Sequence, residues 1–311
     1  MQPVKYGELK KAIDDGASLS LIQEWHTSDL GSRCAKRVQL KHQGKALPEI
    51  GSAMLRGLLF HAHAEAWHLG ETASVSDVLE SIRMEGRAPT PAALASVEEA
   101  NEECIGLVGH YAQRFGDYFR ASKLIGCEVP VRWTVDVDGK PVDFASHMDL
   151  LFRDPHGALC VWDWKTGDTD WDTDHAGRSI QLGMYFMAVQ YGMVMIEDEW
   201  VELREPPHVS IVNAEHLKPY SRRTTAIDDD GQQREFVKGD ARPSKSVRFE
   251  VLVNNEAAVV DEFATRVRMA RANLWPTNPT DTGCRVCECR SACPSWGRDQ
   301  TQNQEPANGT L

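Results

Sequence analysis

Residues 142–167 run VDFASHMDLLF, RDPHG, ALCVWDWKTG: two β-rich segments joined by a turn built on Asp154, Pro155 and Gly157. Side chains alternate along a strand, so Val161, Asp163 and Lys165 share one face of the later segment while Trp162 and Trp164 share the other. On the earlier segment the same alternation groups His147, Asp149 and Leu151. Upstream, CEVPVRWTVDV (127–137) ends at Asp138-Gly139, a dipeptide suited to a two-residue hairpin turn. The three segments are expected to form an antiparallel meander that brings Asp149 close to Asp163. Two carboxylates so placed suit a hard divalent ion such as Mg²⁺ or Mn²⁺. Such an ion lowers the pKa of a bound water and clamps a phosphate oxygen, while Lys165 orients the nucleophile or stabilises the transition state. A cross-strand Asp–Lys salt bridge on a solvated face is the competing reading. The flanking tryptophans weigh against it, because they imply a buried opposite face and a central strand.

Working outward, residues 20–46 read as helical, and GSAMLRGLLFHAHAEAWHLG (51–70) does so more strongly, with apolar residues at helical spacing and Gly70 as a stop. Residues 72–122 read as a helical insertion. After the meander come an expected helix over 177–191, a strand at HVSIVNA (208–214) and an exposed, turn-rich polar loop over 215–246. A strand at VRFEVLV (247–253) and a helix over 256–274 lead into a cysteine segment at 284–293. There is no internal repeat, and the polar tail at 298–311 is expected to be disordered. The order of elements predicts one α/β domain over 20–297.

Asp149 followed by Asp163-Trp164-Lys165-Thr166-Gly167 resembles the RecB-like branch of the PD-(D/E)xK nucleases. Gly57-Leu-Leu-Phe-His61 is similar to that family's helical Gly-x-x-x-His motif, which implies His61 as a third metal ligand beside Asp149 and Asp163. Gln181-Leu-Gly-Met-Tyr185 is similar to its Gln-x-x-x-Tyr motif, and helical spacing puts Gln181 and Tyr185 on one face, where the family uses them at the DNA-binding site. Glu128, ahead of the first meander strand, stands where members often carry an acid. Ser146 departs from the pattern, since members usually have glycine three residues before the second-strand aspartate. The resemblance spans nearly the whole chain. It implies a central mixed sheet with the antiparallel meander, flanked by helices, and Asp149, Asp163 and Lys165 as catalytic residues.

Cys284, Cys287 and Cys293 form Cys-x2-Cys-x5-Cys, with Cys289 inside it. Thiolates crowded into so short a loop call for a metal centre, and spacing alone leaves zinc and iron–sulfur equally open, since Cys289 would complete a local four-thiolate zinc site. The iron–sulfur members of the resembled branch include the CRISPR-associated exonucleases and AddB-type nuclease subunits. They place one cysteine before the histidine motif and three at the far end. The resemblance therefore implies a [4Fe–4S] cluster on Cys34, Cys284, Cys287 and Cys293 that joins the N- and C-terminal segments, leaving Cys289 spare. Closing so long a loop removes unfolded-state entropy. Cys104, Cys127 and Cys160 read as core residues.

The chain has 311 residues, 41% of them hydrophobic, enough for a sizeable core. Its net charge of −12 weighs against duplex binding. Net charge is a sum, however, and Arg33, Lys36, Arg37, Lys41 and Lys45 read either as a phosphate stripe or as a solvated helix face. No apolar run matches a signal peptide or membrane span, so a cytoplasmic location is expected. There is no phosphate-binding Gly-x-x-x-x-Gly-Lys loop, so a helicase would be a separate protein. His61-Ala-His63-Ala-Glu65 lacks metalloprotease spacing. The expected activity is a Mg²⁺- or Mn²⁺-dependent DNA exonuclease or flap-processing nuclease acting on single-stranded DNA or single-stranded ends. Its partners would be a helicase or recombination or CRISPR-adaptation proteins. The alternative is a non-catalytic DNA-binding adaptor with the same fold and cluster.

Overall fold

A computed structural model describes residues 24–30, 34–45, 49–167, 179–217, 221–227, 233–239, 247–251, 256–276, 284, 287 and 289–293. The chain begins with β1 (Glu24–Trp25), α1 (Thr27–Leu30), α2 (Ala35–His42) and β2 (Glu49–Ile50). A helical block follows: α3 (Ser52–Leu69), α4 (Val75–Met84), the short β3 (Ala88–Pro89), α5 (Pro91–Ala95) and α6 (Val97–Arg120). The meander is β4 (Lys123–Val137), β5 (Lys140–Arg153) and β6 (Leu159–Lys165). Beyond it lie α7 (Ile180–Tyr191), β7 (Met193–Ile196), β8 (Glu199–Val201), β9 (His208–Asn213), β10 (Ser221–Ile227), β11 (Gln233–Gly239), β12 (Arg248–Val251) and α8 (Glu256–Arg271).

The central sheet runs β12-β9-β6-β5-β4-β7-β8, with β6 and β9 parallel and the other neighbours in this order antiparallel. The expected α/β fold with a mixed central sheet flanked by helices is what forms. One core packs the sheet against α7 and α8 through Leu182, Tyr185, Phe263 and Val267. The other packs it against α3 and α6 through Leu59, Phe60, Leu107 and Tyr111, and receives Trp162 and Trp164, each 1% exposed. Trp162 lies flat against Tyr118, with ring centroids 5.8 Å apart and planes 6° apart. The tryptophan face of β6 is therefore buried, and β6 is a central strand.

The meander turn forms as the dipeptide requires: Asp138 and Gly139 take φ of 56° and 74°, whose twist matches the flanking strands. The hairpin of β7 and β8 uses the same device with Glu197 and Asp198 at 51° and 64°, and without a glycine it leaves little sequence signal. Residues 215–246 are less irregular than their composition suggests, because β10 and β11 pair antiparallel from Ser221↔Gly239 to Ile227↔Gln233.

Two further expectations are corrected. The described part of residues 20–46 is not one helix. β6 pairs with β5 only from Leu150 to Arg153, so the backbone of Asp143 and Phe144 stays open on that side, and Glu24 and Trp25 pair there in parallel. Trp25 then packs edge-on against Phe263. α1 is tied to the end of α2 by Asp29, which is buried and bonded to Lys41 Nζ (3.1 Å) and His42 Nε2 (3.0 Å). Burial opposes ionisation of Asp29, but His42 and Lys41 outweigh it and hold its carboxyl well below the usual range. Of the basic set in this region, Lys41 is thus tied to Asp29 and Lys36 to Gln39 (2.6 Å), while Arg33 lies outside the described residues.

The second correction concerns β5. His147, Asp149 and Leu151 do not share a face, because the alternation breaks at Asp149. Val142, Phe144 and Met148 enter the core under α7, whereas Leu150 and Phe152 enter the core under α3 and Leu151 returns to the α7 side. β4 changes sides at the matching rung: Val129 and Val131 lie on the α7 side, Cys127 on the other, and Glu128 between them has φ of 45°. A crossing of both strands at one rung turns Glu128 and Asp149 out of the regular pleat together.

At the end of α7 a Cβ on Gly192 would press on the carbonyl oxygens of Arg132 and Ala188, which are backbone atoms with little room to yield. Gly192→Ala is expected to lower the unfolding free energy by about 1–3 kcal/mol, read as a reduced urea midpoint with unchanged slope. A midpoint equal to wild type would contradict this packing.

Candidate active site

Asp163 is 1% exposed on the α7 side of β6. Its Oδ2 lies 2.5 Å from Lys165 Nζ, two residues on and on the same face. The second oxygen accepts from Gln181 Nε2 at 3.0 Å. Gln181 Oε1 receives Lys165 Nζ at 3.4 Å, and Gln181 Nε2 also reaches Tyr185 Oη at 3.0 Å. Tyr185 in turn donates to the His147 carbonyl at 2.8 Å and is 2% exposed. Spacing of four residues on α7 stacks Gln181 over Tyr185, so the pair acts as a bracket between β5 and the Asp163–Lys165 ion pair. Ser146, the departure from the resembled pattern, is buried beside Tyr185.

The other half of the site comes from the opposite layer. α3 packs on the end of β6 at Gly57, where a Cβ would stand 3.4 Å from Thr166 Oγ1, in ordinary van der Waals contact. One turn later His61 Nε2 lies 3.2 Å from the Trp164 carbonyl. A carbonyl only accepts, so this nitrogen carries the hydrogen and Nδ1 faces the site. His61 Nδ1 stands 3.6 Å from Glu128 Oε1 and 3.7 Å from Asp149 Oδ1. Asp149 Oδ2 accepts the Trp164 backbone N–H at 2.6 Å. That donor is available because β5 and β6 stop pairing at Leu150↔Trp162, and Trp164 is the next residue on the same edge.

Donor atoms of His61, Glu128 and Asp149 all lie within 4.8 Å of one another, an arrangement able to hold a metal ion. Asp163 stands beside this group, turned toward Lys165 and Gln181. Burial raises the Asp149 carboxyl to about 7; His61 lowers it and the Asp163 carboxylate reinforces the rise. Burial alone would lower the His61 imidazole, but Asp149 and Glu128 outweigh it and raise it to about 9. Lys165 is likewise raised by Asp163 and Asp149 against the effect of burial. The Cys127 thiol is pushed up to about 12 by burial and by the carboxylates of Glu65, Glu128 and Asp149. Asp149 thus retains its proton to higher pH than an ordinary carboxyl until a cation takes its place.

His61, Asp149, Asp163, Lys165, Gln181, Tyr185 and the lower-ranked Glu128 lie near one another, but of the three expected metal ligands only His61 and Asp149 group, joined by Glu128, while Asp163 faces Lys165 and Gln181. Glu65 was missed, although four residues after His61 is the same helix face. Arg56 was missed because one arginine on a helix reads as a solvated charge.

The cysteines expected to hold a cluster lie apart from this site in sequence and element. Cys34 immediately precedes α2, and the Cys289 thiol donates to the Arg37 carbonyl on that helix at 3.7 Å. Lys36 N–H meets the Pro276 carbonyl at 3.2 Å, and Gln39 Nε2 meets Asn273 Oδ1 at 3.3 Å. Cys34, Cys284, Cys287 and Cys293 are partly exposed, while Cys289 is buried.

No helix among the described residues is long and apolar enough to cross a membrane. No curated protein matches the chain. Among solved structures, the crystal structure of SSO0001 is similar at 16% identity and a TM-score of 0.39, covering 92% of this chain and 93% of that one. The model of the PD-(D/E)XK nuclease superfamily matches residues 29–294. That match takes in the helix carrying His61, the strands carrying Glu128, Asp149, Asp163 and Lys165, and the bracket on α7, so the chain belongs to the PD-(D/E)XK nuclease superfamily.

Proposed function

We propose that this protein is a metal-dependent deoxyribonuclease, an exonuclease or flap-processing enzyme acting on DNA with single-stranded ends. The observation that carries the reading is the convergence of His61, Glu128 and Asp149 beside the Asp163–Lys165 pair. Carboxylate oxygens and one imidazole nitrogen fit Mg²⁺ or Mn²⁺, with His61, Asp149 and Glu128 as inner ligands and Asp163 adjacent. When bound, the ion supplies Lewis acidity toward a phosphate oxygen and a water of lowered pKa. Lys165 remains protonated beside Asp163 and donates to the oxygen on which charge develops as the P–O bond breaks. Gln181 fixes Asp163, and Asp163 fixes the lysine, so the ammonium group is pre-aimed.

A [4Fe–4S] cluster on Cys34, Cys284, Cys287 and Cys293 belongs to the same reading. It is supported by the meeting of α2 with the 273–276 and 289 segments and by the buried thiol of Cys289, which is bonded to Arg37. The domain would then span 20–297, with the cluster closing its ends. The preference for single-stranded ends and a separate helicase, recombination or CRISPR-adaptation partner rest on the resemblance to the iron–sulfur branch.

The deciding experiment is digestion of end-labelled single-stranded DNA by anaerobically purified protein with Mg²⁺, Mn²⁺ or EDTA. Loss of label that EDTA blocks is expected; a folded sample that cuts under none of these conditions would leave the adaptor reading. Asp163→Asn and Lys165→Ala are each expected to lower the cleavage rate by about 10²–10³-fold or more with the far-ultraviolet spectrum unchanged; full activity in both would remove the assignment.

Cation binding must displace the protons held by Asp149, at about 7, and by His61, at about 9. Both groups therefore favour binding as pH rises. Mn²⁺ affinity should increase from pH 6 to 9 with proton release in calorimetry, and a pH-independent affinity would refute this ligand set. Cys34→Ser should lose iron although it lies far in sequence from the other cysteines; iron at the wild-type level would restrict the centre to the C-terminal segment.

A further inference from the structure

We propose that Arg56 is a positioning residue for Lys165, acting through the Thr166 carbonyl; the inference rests on the nuclease reading above. Lys165 is the last residue of β6, so pairing within the strand holds its backbone from one direction only. Both carbonyls that flank it are received by α3. His61 Nε2 holds Trp164 O at 3.2 Å, and Arg56 Nη1 holds Thr166 O at 2.8 Å. Gly57 of α3 lies beside Thr166, between the two residues that make these bonds.

Arg56 is itself fixed on two other sides. Its Nε and Nη2 donate to Glu103 on α6 at 2.8 and 3.2 Å. Its Nη2 also pairs with Glu215, in the turn that follows β9. The residue opposite Lys165 in the β6–β9 register is Asn213, whose Oδ1 accepts the Glu215 N–H at 3.0 Å. The guanidinium thus closes a ring from α3 through β6 and β9 back to α3, with α6 as a brace. Its side chain is only 19% exposed. A rigid fork with five donors can serve three acceptors at once, and a lysine ammonium in its place cannot reproduce that plane. Displacing the end of β6 would move the Lys165 ammonium relative to Asp163 while leaving the residues that hold a cation in place, because His61 keeps its own bond to Trp164.

The test compares wild type, Arg56→Lys and Arg56→Ala in Mn²⁺-dependent cleavage of end-labelled single-stranded DNA, with Ca²⁺ binding followed by calorimetry. We expect kcat to fall about 10- to 100-fold, with KM and Ca²⁺ affinity within about twofold of wild type. Millimolar guanidinium should partly restore kcat in Arg56→Ala but not in Lys165→Ala, a rescue that general loosening of the fold would not give. A kcat within about twofold of wild type, or a parallel loss of Ca²⁺ affinity, would overturn the proposal. If both arginine variants fail to fold, Glu215→Gln loosens the same ring from the far side. It should lower kcat several-fold at unchanged KM, and an unchanged kcat would count against the proposal. Wild type that does not cleave would instead refute the nuclease reading itself.

Discussion

The backbone of Trp164 holds the site together. Its N–H is bound by the Asp149 carboxylate at 2.6 Å and its carbonyl lies 3.2 Å from His61 Nε2, so two candidate metal ligands from different elements are indexed to one residue of β6. The indole of the same residue is buried and stacks on His68, with centroids 5.8 Å apart and planes 18° apart. Moving Trp164 would therefore break core packing and both polar contacts at once. A hydrogen bond from a buried amide to a charged carboxylate contributes about 1.5–3 kcal/mol, and leaving either partner unpaired costs a comparable amount. That coupling ties the positions of Asp149 and His61 to that of Trp164.

The site straddles the sheet. β6 sends Asp163 and Lys165 toward α7, where Gln181 and Tyr185 bracket them, and offers its backbone to α3, which contributes His61 and Arg56. α7 is registered to Asp163 and Lys165, and α3 to the carbonyls of Trp164 and Thr166. The break in alternation at Glu128 and Asp149 serves this arrangement, because in a regular pleat these two cross-strand neighbours would both point into one of the apolar cores. An unpaired carboxylate in such a core is strongly disfavoured. Turned out at the crossing, both face His61; burial, reinforced by neighbouring carboxylates, makes Asp149 hold its proton more tightly than usual, and attraction to Asp149 and Glu128 does the same for His61.

The molecule's excess of negative charge need not oppose an anionic substrate. Part of it is concentrated at Glu65, Glu128, Asp149 and Asp163, where a divalent cation would neutralise it locally. Elsewhere the charges are internally matched, as in Asp29 with Lys41 and Arg56 with Glu103 and Glu215. Local potential at the site, and not the net count, governs how a phosphate approaches.

By itself, the sequence determined the parts whose signals are local. Alternation around Asp163 and Lys165 marked a central strand, Asp138-Gly139 marked the hairpin, and the spacings Gly57 to His61 and Gln181 to Tyr185 marked two helix faces. These are rules of backbone period and turn chemistry, which act within a few residues. Only the tertiary structure decided the rest. The short pairing of β5 with β6 made an edge that Glu24 and Trp25 could join, and it released the Trp164 N–H for Asp149. The crossing at Glu128 and Asp149 arose because two strands had to feed two different cores, which strict alternation in either strand does not reveal. Arg56 took its place through contacts 47, 110 and 159 residues away, and no local pattern encodes the meeting of segments so distant.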